Sequence, residues 1–253
     1  MKSLLNVVGR KTGLDIQRYI KKAEEKTGKQ ITTYCEPFAG GFNAGLTLVE
    51  KGFTGEIVLN DLDKSVINFF TCLKEDWEKL FIECEALIVD MAKQLHEDDA
   101  VNKIRLYKEN ADNYKQAASE YVYRKSLSMR GMHINFSKFT DTEIDFFIQS
   151  ETLQKIEITN FDYKEVMSRY NYENTFMLID PPYYIPHIAN YYRCDCSLFY
   201  HRELSEEINK FKGKFLLTYN NDEYINSLYE RYNVDYKVRT IGREYIELYI
   251  DNI

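Results

Sequence analysis

Thr32-Thr33-Tyr34-Cys35-Glu36-Pro37-Phe38-Ala39-Gly40-Gly41-Phe42-Asn43 opens the passage that decides the fold, and the passage runs on to Asn60-Asp61. Thr32 to Cys35 is a short run of β-prone residues. Pro37 and the glycine pair break it. From about Asn43 to Lys51 the pattern is helical, with Gly52 as its stop signal. Glu56 to Leu59 is a second apolar strand, and a long helix begins near Lys64. Strand, Gly-rich turn, helix and strand make a βαβ unit, which requires a parallel sheet. Glycines after a parallel strand let the backbone approach a bulky ligand. The same pair also suits a tight turn needing positive φ, so the turn alone assigns nothing.

Working outward, Thr12 and Asp15 are spaced as a capping box. They predict a helix from near Thr12 through Ile16, Ile20 and Ala23 to Gly28. Beyond the βαβ unit, residues 75–150 read as helical or irregular with no convincing strand. A structureless loop of that length is improbable in a compact domain, so this stretch is expected to be an inserted helical subdomain. Strand signals resume at Ile156–Thr159, Phe176–Ile179 and Lys214–Thr218, separated by helical segments that include His201–Phe211 and Asp222–Arg231. Val234–Thr240 and Tyr245–Ile250, joined by Ile241-Gly242-Arg243, read as an antiparallel hairpin.

The 253 residues suffice for one sizeable core, or one core with a large insert. The 21 Tyr and 15 Phe are expected to pack mostly in the interior. A net charge of −7 excludes a uniformly basic nucleic-acid binder and leaves room for a local basic stripe. Five cysteines, with Cys194 and Cys196 spaced C-x-C and no second pair nearby, do not make a zinc site. They are expected to be free thiols in a reducing cytoplasm. No apolar run follows Met1-Lys2 as in a signal peptide, and no stretch approaches a membrane span, so no membrane partner is expected.

Two further places carry chemistry. Asp61 stands at the end of the second strand, where an acidic residue accepts hydrogen bonds from ribose hydroxyls in nucleotide-type folds. Its alternative is a helix N-cap, a role that suits Asp63 better. Phe176-Met177-Leu178-Ile179 is an apolar strand, and Asp180-Pro181-Pro182-Tyr183-Tyr184 follows it directly. A carboxylate there points into the ligand crevice, and the prolines stiffen the turn. An amine substrate would donate one hydrogen to Asp180 and one to the Pro181 carbonyl. Tyr183 would then offer a face on which a planar base stacks.

These residues resemble the Dam-like, D12 class of DNA adenine N6-methyltransferases, whose signatures appear here in the family's order. Asn6-Val7-Val8-Gly9-Arg10-Lys11 matches the lysine-bearing N-terminal segment, with Val7 in place of an aromatic and Arg10 in place of a glycine. Pro37-Phe38-Ala39-Gly40-Gly41-Phe42 matches the glycine turn, and Asp180 to Tyr183 the D-P-P-Y motif. Asn160-Phe161-Asp162-Tyr163 looks like the segment whose acidic residue binds the cofactor's adenine ring, and Lys214 to Asn220 looks like the late strand. The resemblance implies an α/β Rossmann-like methyltransferase sheet, mostly parallel, with a C-terminal antiparallel hairpin and an inserted helical subdomain. Residues 1–74 and 151–253 would form the catalytic domain, and 75–150 the target-recognition region.

It further implies S-adenosylmethionine as cofactor, with Val7, Lys11, Glu36, Pro37, Phe38, Ala39, Gly40, Asp61, Asp162 and Asp180 contacting it. The substrate would be the N6 amine of an adenine flipped out of double-stranded DNA. Asp180, Pro181, Pro182 and Tyr183 would hold that adenine, and the amine would attack the methyl directly. Neither a metal nor a covalent enzyme intermediate is needed, and a monomer is expected. Two readings stand beside this one: an RNA adenine methyltransferase with the same pocket, and a silent DNA-binding relative, against which the intact Asp180 to Tyr183 argue. From Lys103 to Lys138 eight basic side chains stand against three acidic ones, a local +5 in a chain of −7. Arg124, Lys125, Arg130 and Lys138 are the expected DNA contacts in that stretch.

Overall fold

The computed structural model describes residues 3–5, 14–94, 96–128, 131–132, 134–184, 198–241 and 243–253. In chain order the elements are α1 (Ile16–Thr27), β1 (Thr33–Glu36), α2 (Asn43–Glu50), β2 (Glu56–Asn60), α3 (Lys64–Glu75), α4 (Trp77–Ala92), α5 (Glu97–Lys108) and α6 (Asn113–Ser126). Then come β3 (Leu127–Ser128), β4 (Gly131–Met132), a 3-10 turn (Phe136–Lys138), α7 (Glu143–Leu153), β5 (Glu157–Thr159) and α8 (Tyr163–Arg169). The chain closes with β6 (Thr175–Ile179), α9 (Leu198–Lys210), β7 (Lys214–Asn220), α10 (Glu223–Tyr229), β8 (Asn233–Ile241) and β9 (Arg243–Asp251).

Seven strands form one sheet in the order β5-β2-β1-β6-β7-β9-β8. The pairs β1–β2, β1–β6 and β6–β7 are parallel, whereas β7–β9 and β8–β9 are antiparallel. This is the mostly parallel α/β sheet with a C-terminal hairpin that the sequence leads one to expect. Ile241 faces Arg243 across the hairpin, and Gly242 lies outside the described residues. β1 and β6 are buried along their whole length, as strands covered on both faces must be. Because β1 leads to β2 on one side while β6 lies on the other, the strand order reverses between β1 and β6. Ligands bind at such a switch point, outside the carboxyl ends of the strands.

The chain divides into two compact units. One comprises Asp15–Ala39, Lys51–Leu62 and Phe161–Ile253; the other is built on Gly40–Glu50 and Asp63–Asn160, so the helices of residues 75–150 fall within it. In the first unit, Cys35, Val58, Met177, Leu217 and Ile250 are buried together with residues of α8, α9 and α10. α1 turns Ile16, Ile20 and Ala23 inward and ends at Gly28, whose φ of 67° lets its N–H close on the Glu24 carbonyl at 2.8 Å. The helix begins at Ile16 rather than near Thr12. Asp15 is its N-cap by position but not by side chain, because its carboxylate takes Lys51 Nζ at 2.7 Å. Thr12 lies outside the described residues.

In the second unit α3, α4, α5, α6 and α7 pack together, with Phe69, Tyr121 and Phe146 at the centre. The stretch is helical as expected, apart from the short antiparallel pair β3–β4. Asp63 caps α3, accepting the Ser65 N–H at 3.0 Å. At the start of α2, Gly40 has a φ of 49° and Phe42 a φ of 52°. The buried Phe42 ring occupies the space a Cβ on Gly45 would need, with its Cζ only 2.3 Å from that position.

Candidate active site

Parallel pairing brings the carboxyl ends of β1, β2, β6 and β7 to one edge of the sheet. Glu36 ends β1, Asn60-Asp61 ends β2, Asp180 follows β6 and Asn220 ends β7. The first unit thus gathers Glu36, Pro37, Phe38, Ala39, Asp61, Asp162, Asp180, Pro181, Pro182 and Tyr183. Gly40 follows Ala39 directly in the chain. Val7, Lys11 and Arg130 lie outside the described residues.

Asn60 organises this edge, and the sequence reading assigned it no role. It is fully buried. Its carbonyl accepts the Ala39 N–H at 2.8 Å, and its Nδ2 donates to the carbonyls of Pro37 at 2.9 Å and Phe161 at 3.1 Å. Its Oδ1 accepts the Phe161 N–H at 2.9 Å. One residue therefore ties Pro37, Ala39 and Phe161 to the end of β2. Buried polar groups require such pairing, so the segments are fixed relative to one another.

Around that clamp, Asp61 is half-buried beside the exposed Leu62. The half-buried Phe38 ring packs on Tyr163 with centroids 5.4 Å apart. Asp162 is exposed and caps α8 through the Lys164 N–H at 2.9 Å. Glu36 is buried, and the Tyr34 hydroxyl donates to it at 2.8 Å. Burial, then Glu36 itself, pushes the Tyr34 phenol well above its ordinary value, so it stays a donor.

Asp180 lies in the described turn after β6, with Pro181 buried and Pro182 half-buried. The Thr218 hydroxyl on β7 donates to Asp180 Oδ1 at 2.6 Å, which sets the carboxylate's orientation. One residue past the motif, the Tyr184 carbonyl accepts Asn220 Nδ2 at 2.8 Å. Tyr183 donates its hydroxyl to Glu247 Oε1 at 2.6 Å and tilts against Tyr219 at 5.9 Å. Burial, then the Asp180 and Glu247 carboxylates, hold its phenol well above the usual range. Neither Thr218 nor Glu247 figured among the expected site residues.

The expected DNA contacts are placed differently. Arg124 is 13% exposed, with Nε on Glu120 at 2.6 Å and Nη2 on Asp63 at 2.9 Å. Lys125, 5% exposed, pairs with Asp141, which also accepts the Tyr121 hydroxyl at 3.0 Å. Both side chains thus stand in internal ion pairs of the helical unit. Lys138 is half-buried in the 3-10 turn.

A family model described as D12 class N6 adenine-specific DNA methyltransferase matches residues 9–241. The chain belongs to that family. As a D12 methyltransferase it uses S-adenosylmethionine to methylate the N6 amine of adenine in DNA. Solved structures to which the chain is similar include a human methyltransferase 10 domain containing protein, with 11% identity, a TM-score of 0.40, and coverage of 92% of this chain and 80% of that one. A methyltransferase from Pyrococcus furiosus shares 13% identity at a TM-score of 0.34, with coverage of 98% and 88%. Among curated proteins none matches it. Along one edge of this D12 enzyme's first unit stand the half-buried Asp61 after β2, the exposed Asp162 and the Phe38 ring. Among the described residues no helix is long and apolar enough to cross a membrane.

Proposed function

We propose that this methyltransferase acts as a cytoplasmic monomer on double-stranded DNA, taking a flipped adenine into the turn after β6. The observation that carries this reading is the Asp180 carboxylate, fixed by Thr218 at 2.6 Å beside Tyr183 at the sheet's switch point. Asp180 accepts one hydrogen of the target amine and the Pro181 carbonyl accepts the other. Held so, the nitrogen lone pair is directed away from the ring, and Asp180 offsets the positive charge that develops on nitrogen. Tyr183 stacks on the base and keeps it in plane. S-adenosylmethionine supplies the electrophilic methyl. Asp61 would accept the ribose hydroxyls and Asp162 the adenine amine, with Glu36, Pro37, Phe38 and Ala39 beside them; Val7, Lys11 and Gly40 are the further cofactor residues that the family resemblance implies. Lys138 and Arg130 contact the DNA backbone or bases.

One chain carries the turn, Asp61 and D-P-P-Y together, which supports a monomer. The buried, reduced thiols of Cys35, Cys72 and Cys84 suit a reducing compartment. The test is to incubate the purified chain with labelled cofactor and unmethylated duplex DNA, with single strands and RNA in parallel, and to map N6-methyladenine by sequencing. Methylated adenines at a recurring duplex site are expected. Transfer to RNA alone, or none to duplex DNA, would overturn the proposal.

A further inference from the structure

Glu247 is a carboxylate on β9, 1% exposed, in the middle of an apolar and aromatic strand. Burying a carboxylate is costly unless donors surround it. Here two tyrosines supply them: Tyr183 to Oε1 at 2.6 Å and Tyr249 to Oε2 at 2.7 Å. Lys237 faces Glu247 across the hairpin, and its Nζ lies 3.9 Å from the Tyr249 ring centroid. The first of these tyrosines is the last residue of D-P-P-Y. A tyrosine anchored only at its backbone can swing about two side-chain bonds. Tyr183 is anchored at both ends: the Asn220 bond to the next carbonyl holds the turn, and Glu247 holds the hydroxyl. Tyr219, tilted by 34° at 5.9 Å, supports the ring from the side.

We infer that Glu247 is a positioning residue for methyl transfer: by accepting the Tyr183 hydroxyl it fixes the plane of the ring on which the target adenine stacks. The inference rests on the reading that Tyr183 stacks the base. Tyr183 therefore serves the reaction with its face, and its hydroxyl serves only to aim that face. A ring out of plane would leave the amine misaligned with Asp180, and misalignment acts on turnover more than on cofactor affinity.

The test compares Tyr183→Ala, Tyr183→Phe, Glu247→Gln and the Tyr183→Phe/Glu247→Gln double variant. Turnover is measured at saturating unmethylated duplex DNA, and cofactor affinity by calorimetry. Tyr183→Phe and Glu247→Gln should each lower kcat about tenfold, with cofactor affinity within about twofold of the parent, since the first removes and the second weakens the charge-assisted Tyr183–Glu247 hydrogen bond. The double variant should be no slower than the slower single one, because both changes act on the same Tyr183–Glu247 contact. A roughly hundredfold, multiplicative loss would show that Glu247 acts independently of the hydroxyl and overturn the inference. Wild-type kcat in Tyr183→Phe would overturn it as well, and that variant lacks only one oxygen, so it decides the matter even where Glu247→Gln folds poorly. Tyr183→Ala separates the two layers: wild-type turnover there would remove the stacking role itself. A dead Tyr183→Ala beside a fully active Tyr183→Phe would leave stacking intact and end the role of Glu247.

Discussion

Asp180 shares its turn with two prolines and one of its oxygens with Thr218. If the carboxylate holds the target amine, Asp180→Ala should nearly abolish methyl transfer while cofactor binding stays measurable by calorimetry. Thr218→Val should produce a smaller version of the same defect, a roughly tenfold fall in kcat, because the carboxylate remains but loses its orienting donor. Wild-type turnover in Asp180→Ala would withdraw the assignment. Asp61 belongs to the other half of the chemistry. Two ribose hydrogen bonds to a charged acceptor are worth a few kcal/mol at most, about 1–3. Asp61→Ala should weaken the cofactor by that amount and leave DNA affinity unchanged. An unaltered cofactor isotherm would reduce Asp61 to a structural residue.

Among the elements, α6 revises the reading of the basic cluster most. Sequence alone shows Glu120 and Arg124 four residues apart, a spacing that pairs side chains on one helix face. It does not show Asp63, 61 residues upstream, as the second partner. Arg124→Ala would leave the buried Glu120 and the half-buried Asp63 without their cation. Chemical denaturation should then show a loss of about 3 kcal/mol, while the salt dependence of DNA binding keeps its slope. A reduced slope with unchanged stability would restore Arg124 as a phosphate contact. The same limit explains what was and was not legible elsewhere. The apolar runs of β1, β2, β6 and β7 and the hairpin could be read because their signal lies within a few consecutive residues. Asn60, Thr218 and Glu247 could not, because each acts through a partner 23 to 101 residues away. A lone carboxylate in Tyr245-Ile246-Glu247-Leu248-Tyr249 was the one local hint.

Over the whole molecule, the thiols report how firmly the cores are closed. Burial, with Glu75 next in effect, pushes the Cys72 thiol up to about 11, and burial pushes Cys84 well above its ordinary value. A thiol so raised stays protonated at pH 8 and is a poor nucleophile. In a Cys194→Ser/Cys196→Ser variant, Ellman's reagent at pH 8 should therefore find almost no reactive thiol until denaturant is added, and then the remaining three. Rapid labelling of the native variant would mean that a core opens readily. The order of the sheet also bears on how the enzyme is made. β1 lies between β2 and β6, yet β2 ends at Asn60 and β6 begins only at Thr175. A ribosome adding about 5–20 residues per second needs on the order of ten seconds to cover that gap. Throughout it the apolar edge of β1 has no second neighbour, and for most of it the Asn60 amide still waits for the Phe161 backbone. The catalytic edge is thus among the last parts of the nascent chain to close, and a chaperone that shields an unpaired strand would be of most use during that interval.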